Sequence, residues 1–333
     1  MQPAVVIHQV KDIAAFQAPL EHIYPEHTLA LKMRENVPSR GLESLWIASV
    51  DNIPVGRLSI YRNDELRYHG LRTFCIGHYE CIHEEKIAHH LLQHAINCIQ
   101  AVGGEYVVGP MNGSTWENYR FATTNKQTFF LEPLQWDYYL SQWLTYGFDV
   151  IARYESHLDE QLWYDEALLQ AALTRLAASS IHIRKTDLAQ FRDELPRLYK
   201  LCAGSFASNF LYTPISEDDF IQKYLPVEPY LDADLFWIAC DATHKAVGFI
   251  FALPDYNDTT SRTAIVKTLC RLPGAMYQSI IPAIGNQLVK SARQKGYQRI
   301  IHAFMHQQNQ SMQVSTRFSG SAFKEYRLLG KVL

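Results

Sequence analysis

Two stretches of the chain set an amide, a hydroxyl and a guanidinium in the same order. GPMNGSTWENYRF (Gly109 to Phe121) and HQQNQSMQVSTRF (His306 to Phe318) share Asn-x-Ser and then Arg-Phe. Asn112, Ser114, Arg120 and Phe121 therefore match Asn309, Ser311, Arg317 and Phe318. Asn and Ser side chains both donate and accept hydrogen bonds, and Arg grips planar anions, so the pattern suits a site that fixes a polar ligand. An Asn-x-Ser at a strand-to-helix junction equally suits an N-cap, whose oxygens accept backbone N–H bonds. Around the first copy stand Trp116, Tyr119, Phe129, Phe130 and Glu132. That constellation has two readings. One is a small-molecule pocket using Asn112, Ser114, Trp116, Arg120 and Glu132; the other is an aromatic core with a satisfied Arg–Glu pair.

Other chemistries find less support. His90 and His94 lie four apart on one helix face with His83 and His89 nearby, which is possible metal-ligand spacing. No cysteine or carboxylate joins them at a recognised spacing, and no metal is expected. The six cysteines form no C-x-x-C and read as structural thiols of a reducing compartment. The chain has no Walker A loop, Rossmann fingerprint or G-x-S-x-G elbow.

Composition sets the frame. A net charge of −3 supplies no global basic field, so no nucleic-acid partner is expected. Apolar residues at 47% and charged residues at 20% fit a soluble globular protein. No apolar run approaches the ~18 residues of a membrane span, and the N-terminus has no signal-peptide pattern. A cytoplasmic protein without membrane partner is expected, and a homodimer is possible on this reading.

The elements that must position these groups occur twice. DIAAFQAPLEHIY (Asp12 to Tyr24) resembles DLAQFRDELPRLY (Asp187 to Tyr199), with apolar spacing that predicts an amphipathic helix in each. LWIASVDNIPVGRLSIY (Leu45 to Tyr61) and LFWIACDATHKAVGFIF (Leu235 to Phe251) each predict a β-hairpin. Each Asn-x-Ser stretch follows a helix and an apolar strand. Ile87, Leu91, Ala95 and Ile99 form the first helix's stripe, with Gly103 and Gly104 as its stop; Ile284, Leu288, Ala292 and Gly296 do the same in the second. The repeat implies two α/β domains, 1–158 and 181–333, joined by a helix within 159–180.

This order of elements, repeated, resembles the GNAT (GCN5-related N-acetyltransferase) fold. GPMNGSTW with TFFLEP (Thr128 to Pro133), and IIHAFMHQQNQS with FKEYRLLGKVL, are similar to a largely uncharacterised group of tandem GNAT-like bacterial proteins. The resemblance implies mixed central sheets flanked by helices, and a cofactor helix from about Ile281 to Lys295 whose N-terminus cradles the pyrophosphate of an acyl-CoA such as acetyl-CoA. Neither half matches the usual Arg/Gln-x-x-Gly-x-Gly/Ala loop. In the first half Glu84 and Glu85 begin the helix and would repel a diphosphate. In the second, CRLPGAMYQSIIPAIGNQL (Cys270 to Leu288) has no acidic residue.

The resemblance thus implies cofactor contacts at Leu269, Cys270, Arg271, Gly274, Ala275, Gln278, Ser279, Ile280, Asn309 and Ser311. It implies a thiolate acid at Tyr326 or Tyr277 and a base at His302 or His306, beside Asn309. The family's usual Tyr shortly after the Asn is absent, for Met312 to Thr316 stand there. The expected function is N-acylation of a small amine or amino acid in the second half, with a degenerate first half. The alternatives are a non-catalytic ligand-binding or scaffold protein on the duplicated fold, and an aminoacyl-tRNA-dependent transferase, which the acidic balance disfavours.

Overall fold

The computed structural model describes residues 4–33, 35–124, 128–258, 260 and 262–333. The first half opens with β1 (Val5–Val10) and the short helices α1 (Ile13–Gln17), α2 (Leu20–Ile23) and α3 (Glu26–Lys32). The single helix expected between Asp12 and Tyr24 is broken at Pro19, which cannot donate an amide inside a helix. There follow β2 (Leu42–Val50), β3 (Ile53–Tyr68), β4 (Leu71–Cys81), α4 (Glu85–Ala101), β5 (Tyr106–Gly109), β6 (Phe121–Ala122), α5 (Tyr138–Thr145) and β7 (Asp149–Asp159). The second half runs α6 (Glu166–Ala178), β8 (His182–Lys185), α7 (Phe191–Phe206), α8 (Glu217–Tyr224), β9 (Phe236–Cys240), β10 (Ala246–Pro254), β11 (Thr263–Arg271), α9 (Ile280–Gln294), β12 (Arg299–His306), α10 (Ser311–Arg317) and β13 (Ser321–Val332).

Local chemistry accounts for most of these elements. The β2–β3 hairpin turns at Asp51 and Asn52, whose φ angles of 50° and 66° match a turn that Asn and Asp tolerate well. Its register pairs Ala48 with Gly56, and the β9–β10 hairpin likewise pairs Ala239 with Gly248. Helices α4 and α9 bury their apolar stripes and are followed by Gly103 and Gly296 at φ 78° and 80°. In the second half α6 and α9 cover one face of the sheet and α7 and α8 the other. None of the described helices is long and apolar enough to cross a membrane.

The sheet order is β1-β2-β3-β4-β5-β13-β7-β12-β11-β10-β9-β8, with β6 on β13. One continuous sheet thus runs through both halves. The sequence order predicted a closing strand for each copy within that copy. Instead β13, from the second half, pairs with β5 of the first, and β7, from the first, pairs with β12 of the second. The two exchanged strands pair antiparallel with each other at the centre. In each half the neighbouring pair, β4/β5 or β11/β12, is parallel and then diverges.

Candidate functional site

Two strand divergences offer places for a ligand, and they differ. In the first half β4 and β5 stay paired only from Thr73/Tyr106 to Cys75/Val108. Beyond that point the protein fills the gap itself. The Met111 N–H donates to the Ile76 carbonyl at 2.8 Å, and the Asn112 carboxamide oxygen accepts the His78 N–H at 3.0 Å. Gly77 lies so close to Asn112 that a side chain at 77 has no room, and Trp143 occupies the equivalent space at Gly109. At the α4 N-terminus Glu84 is the N-cap and Glu85 stands in the first turn. The preceding loop is covered: Tyr138 stacks on His83 at 4.3 Å, and Gln142 donates to the Ile82 carbonyl at 2.8 Å. Nearby, Lys32 pairs with Glu80 at 2.5 Å while Tyr24 and Tyr139 donate to the same carboxylate, which closes that buried cluster on itself.

In the second half β11 and β12 part after Val266/His302, and the gap stays open as a cleft of about 1530 Å³. Both halves line it. From Lys267 to Arg271 the edge of β11 that faced β12 has no strand partner, while its other edge remains paired with β10. At the mouth, Gly274 holds φ 120°, a conformation open to glycine. Among the described residues the amides of Gly274, Ala275 and Met276 donate to no backbone carbonyl. No acidic residue lies in the first turn of α9, and Arg271 lines the cleft with one N–H bound to the Leu272 carbonyl at 2.8 Å. Free amides, a cation and the positive end of a 15-residue helix together fit an anionic diphosphate. Farther along, Phe318 of the segment after α10 packs on Gly285 of α9, where no larger residue fits.

The inner wall carries the ionisable groups. Lys267 is the first residue of β11 past the last paired position, and its Nζ sits 4.1 Å from the Phe304 ring centroid. Burial first, then the neighbouring Arg120 charge, lowers its pKa to about 7. A lysine so placed is a base near neutral pH. The Tyr326 hydroxyl donates to Glu132 at 2.8 Å, and burial followed by the Glu132 charge raises its pKa well above the usual phenol value. Glu132 also accepts from Lys324 at 2.6 Å. The expected Arg–Glu pair is therefore absent: the Glu132 carboxylate is taken by a lysine from β13, and Arg120 packs among rings instead.

His302 lies opposite His157 across the β12–β7 pair, and the Ser315 hydroxyl joins them at 2.6 and 3.0 Å. His157 continues to Glu155 at 3.1 Å. With Glu155 accepting a hydrogen bond from His157 Nε2, the hydroxyl donates to His157 Nδ1 and accepts from His302 Nδ1. Burial, then the neighbouring His157, lowers the His302 pKa to about 4, so it stays neutral and is a weak base.

Leu269, Cys270, Arg271, Gly274, Asn309, Ser311, His302, His306 and Tyr326 line the cleft, as do Trp116, Arg120 and Glu132. Ala275, Gln278 and Ser279 lie in the mouth loop but outside the lining, and the Ile280 side chain is fully buried in the core against Gly248. Tyr277 packs on the α6/α9 core instead of entering the cleft. Asn112 plugs the first divergence, and Ser114 accepts the Trp116 N–H at 3.3 Å. Neither Asn is an N-cap: irregular chain follows Asn112, and the residue before α10 is Gln310, without a side-chain cap bond. His90 bonds the Lys86 carbonyl of its own helix and His94 packs on Trp46, and no three metal-ligating side chains cluster among the described residues. Sequence reasoning missed Lys267, Ser315, His157 and Glu155. For Lys267 a signal existed, a lone cation in the apolar strand TAIVKTLC.

No family model matches the chain, and no curated protein matches it. Solved structures do. A tandem GNAT protein from the clavulanic acid biosynthesis pathway aligns over 99% of this chain and 98% of its own at 9% identity and a TM-score of 0.57. A GCN5-related N-acetyltransferase from Sphaerobacter thermophilus aligns over 100% and 97% at 9% identity and a TM-score of 0.56. A GCN5-related glucosamine N-acetyltransferase region of a fungal multi-domain β-N-acetylglucosaminidase aligns over 99% of this chain at 10% identity and a TM-score of 0.61, and this chain spans 38% of that longer protein. At such identities the likeness establishes the fold. This chain has the tandem GNAT fold.

Proposed function

We propose that the protein is an acyl-CoA-dependent N-acyltransferase acting on a small amine or amino acid, with its active site in the cleft of the second half. The observation that carries this reading is the asymmetry between the two divergences, one closed by Asn112 and Trp143 and one open beside Lys267. The first half contributes Trp116, Arg120 and Glu132 to the acceptor side of that cleft.

The acyl-CoA supplies an acyl carbon activated as a thioester. Arg271 and the Gly274 amide are the groups that would hold its diphosphate, and Asn309 and Ser311 face the same passage. Lys267, its pKa lowered to about 7 by burial and then by Arg120, accepts a proton from the acceptor amine at Nζ and holds it for the departing sulfur. One group thereby covers both proton transfers that a base and a phenol would otherwise share. The unpartnered inner edge of β11 supports an oxyanion site, with backbone N–H groups turned toward the gap. His302 and Tyr326 position their neighbours, because one is held neutral and the other commits its hydroxyl as a hydrogen-bond donor to Glu132.

Calorimetric titration of the full chain with acetyl-CoA tests this directly. One site per chain is expected, together with release of free CoA when an acceptor amine is added. A folded protein that takes up no acetyl-CoA at millimolar concentration would remove the proposal.

A further inference from the structure

The inner wall of the cleft holds a cation that no carboxylate among the described residues neutralises. Arg120 adopts φ 74° just before β6 and is 8% exposed. Its guanidinium packs against Tyr119, Phe304 and Tyr154 at 3.9, 4.3 and 4.7 Å. Nε donates to the Tyr119 carbonyl at 3.0 Å, while Nη1 is buried with no partner. Among the described residues no carboxylate pairs with it. Its neighbours in the wall are committed elsewhere: Glu132 is held by Lys324, Tyr326 and the Phe129 N–H, and Glu117 pairs with Lys223 at 2.6 Å. Lys267, packed on the same Phe304 ring, also has no carboxylate partner among the described residues.

A buried guanidinium with unused donors is expensive unless something completes it. Three rings fix its plane, which prepares it for a planar, bidentate anion such as a carboxylate. The two cations stand 4.3 and 4.1 Å from the centroid of one phenyl ring, so a single small molecule carrying an anion and an amine can reach both. The nearby wall of Trp116, Phe206 and Tyr212 is aromatic and suits an apolar side chain.

We propose that the acceptor is an amino acid, bound through its carboxylate to Arg120 with its amine directed at Lys267. The proposal rests on acyl transfer occurring in this cleft. The balance of the reaction is simple: the amine nitrogen forms a bond to the acyl carbon, the carbon–sulfur bond breaks, and the amine proton passes by way of Lys267 to the CoA sulfur.

The test compares each protein amino acid with its own carboxamide, which keeps amine and side chain and removes only the negative charge. With acetyl-CoA and the full chain, the best amino acid is expected to exceed its amide by about 100-fold in kcat/KM. Because Arg120 also acts on Lys267, the readout is the ratio of amino-acid to amide kcat/KM: Arg120→Gln should cut that ratio by about 100-fold and leave acetyl-CoA affinity unchanged. Amides used as well as amino acids, or a variant that lowers both equally, would overturn the assignment. Titration of the same pairs without acetyl-CoA separates the two readings. Carboxylate-dependent binding in a protein that neither binds nor consumes acetyl-CoA would refute the transferase and keep the Arg120 site. Binding of neither partner would end the Arg120 proposal as well. If Arg120→Gln does not fold, the amino-acid-to-amide ratio of the unaltered chain and of Arg120→Lys still decides it.

Discussion

The two strand divergences are built from matching parts and reach opposite ends. Each follows a parallel pair, each faces the N-terminus of a long amphipathic helix, and each is followed by Asn-x-Ser. In the first, Asn112 turns inward and satisfies His78, Trp143 fills the space at Gly109, and two glutamates occupy the helix mouth. In the second, Asn309 is exposed at the cleft, the helix mouth is free of acids, and a poorly solvated lysine stands at the fork. The difference teaches that a duplicated frame separates shape from chemistry. A few side chains decide whether the same backbone gap becomes core or open cleft.

The sharpest way to break the comparison is Lys267→Met. Loss of a base and proton carrier should lower kcat by about 100- to 10,000-fold. In the unaltered protein, kcat/KM should rise through pH about 7 and level off above it, because the neutral amine is the active form. Arg120, Glu132 and Lys223 are the charges acting on that titration. Stability moves with it. Between about 7 and the ordinary lysine value near 10.4, the unfolded chain binds more protons than the folded one, so stability rises with pH across that window. The methionine variant should therefore melt higher at neutral pH while being inactive, which thermal denaturation checks.

Trp143→Ala acts on the closed divergence. Removing a fully buried indole should cost about 3–5 kcal/mol of stability, measured by denaturant unfolding. Acetyl-CoA stoichiometry should remain one per chain, since Glu84 and Glu85 still guard that mouth; a second site would refute the assignment of the first half. Asn112→Ala leaves the His78 N–H without its acceptor and should cost about 1–3 kcal/mol, again with turnover retained. Arg271→Gln is the mildest, and should weaken acetyl-CoA by about 10-fold with kcat little changed.

Much of the fold was legible because its signals are local. The stripes of α4 and α9, their glycine stops and the Asp-containing hairpin turns each depend on residues a few positions apart. The strand exchange was not legible, for β13 chooses β5 across more than half the chain and no nearby residue announces that choice. The site divides the same way. Arg271 and Gly274 could be read from the loop that contains them. The Arg120 environment could not, because it depends on Lys324 taking Glu132 from the far end of the sequence. Lys267 was visible as an odd residue in an apolar strand, but its altered basicity comes from Arg120 and from burial that only the assembled wall supplies.

Crossing β7 and β13 ties the fate of the two copies together. Neither copy owns a complete sheet, so cutting the chain between them would expose raw strand edges on both pieces, and trimming the last dozen residues would unzip the half that lies farthest away in sequence. A lineage carrying this arrangement has no simple route to discarding either copy. Each copy stays as masonry for the other.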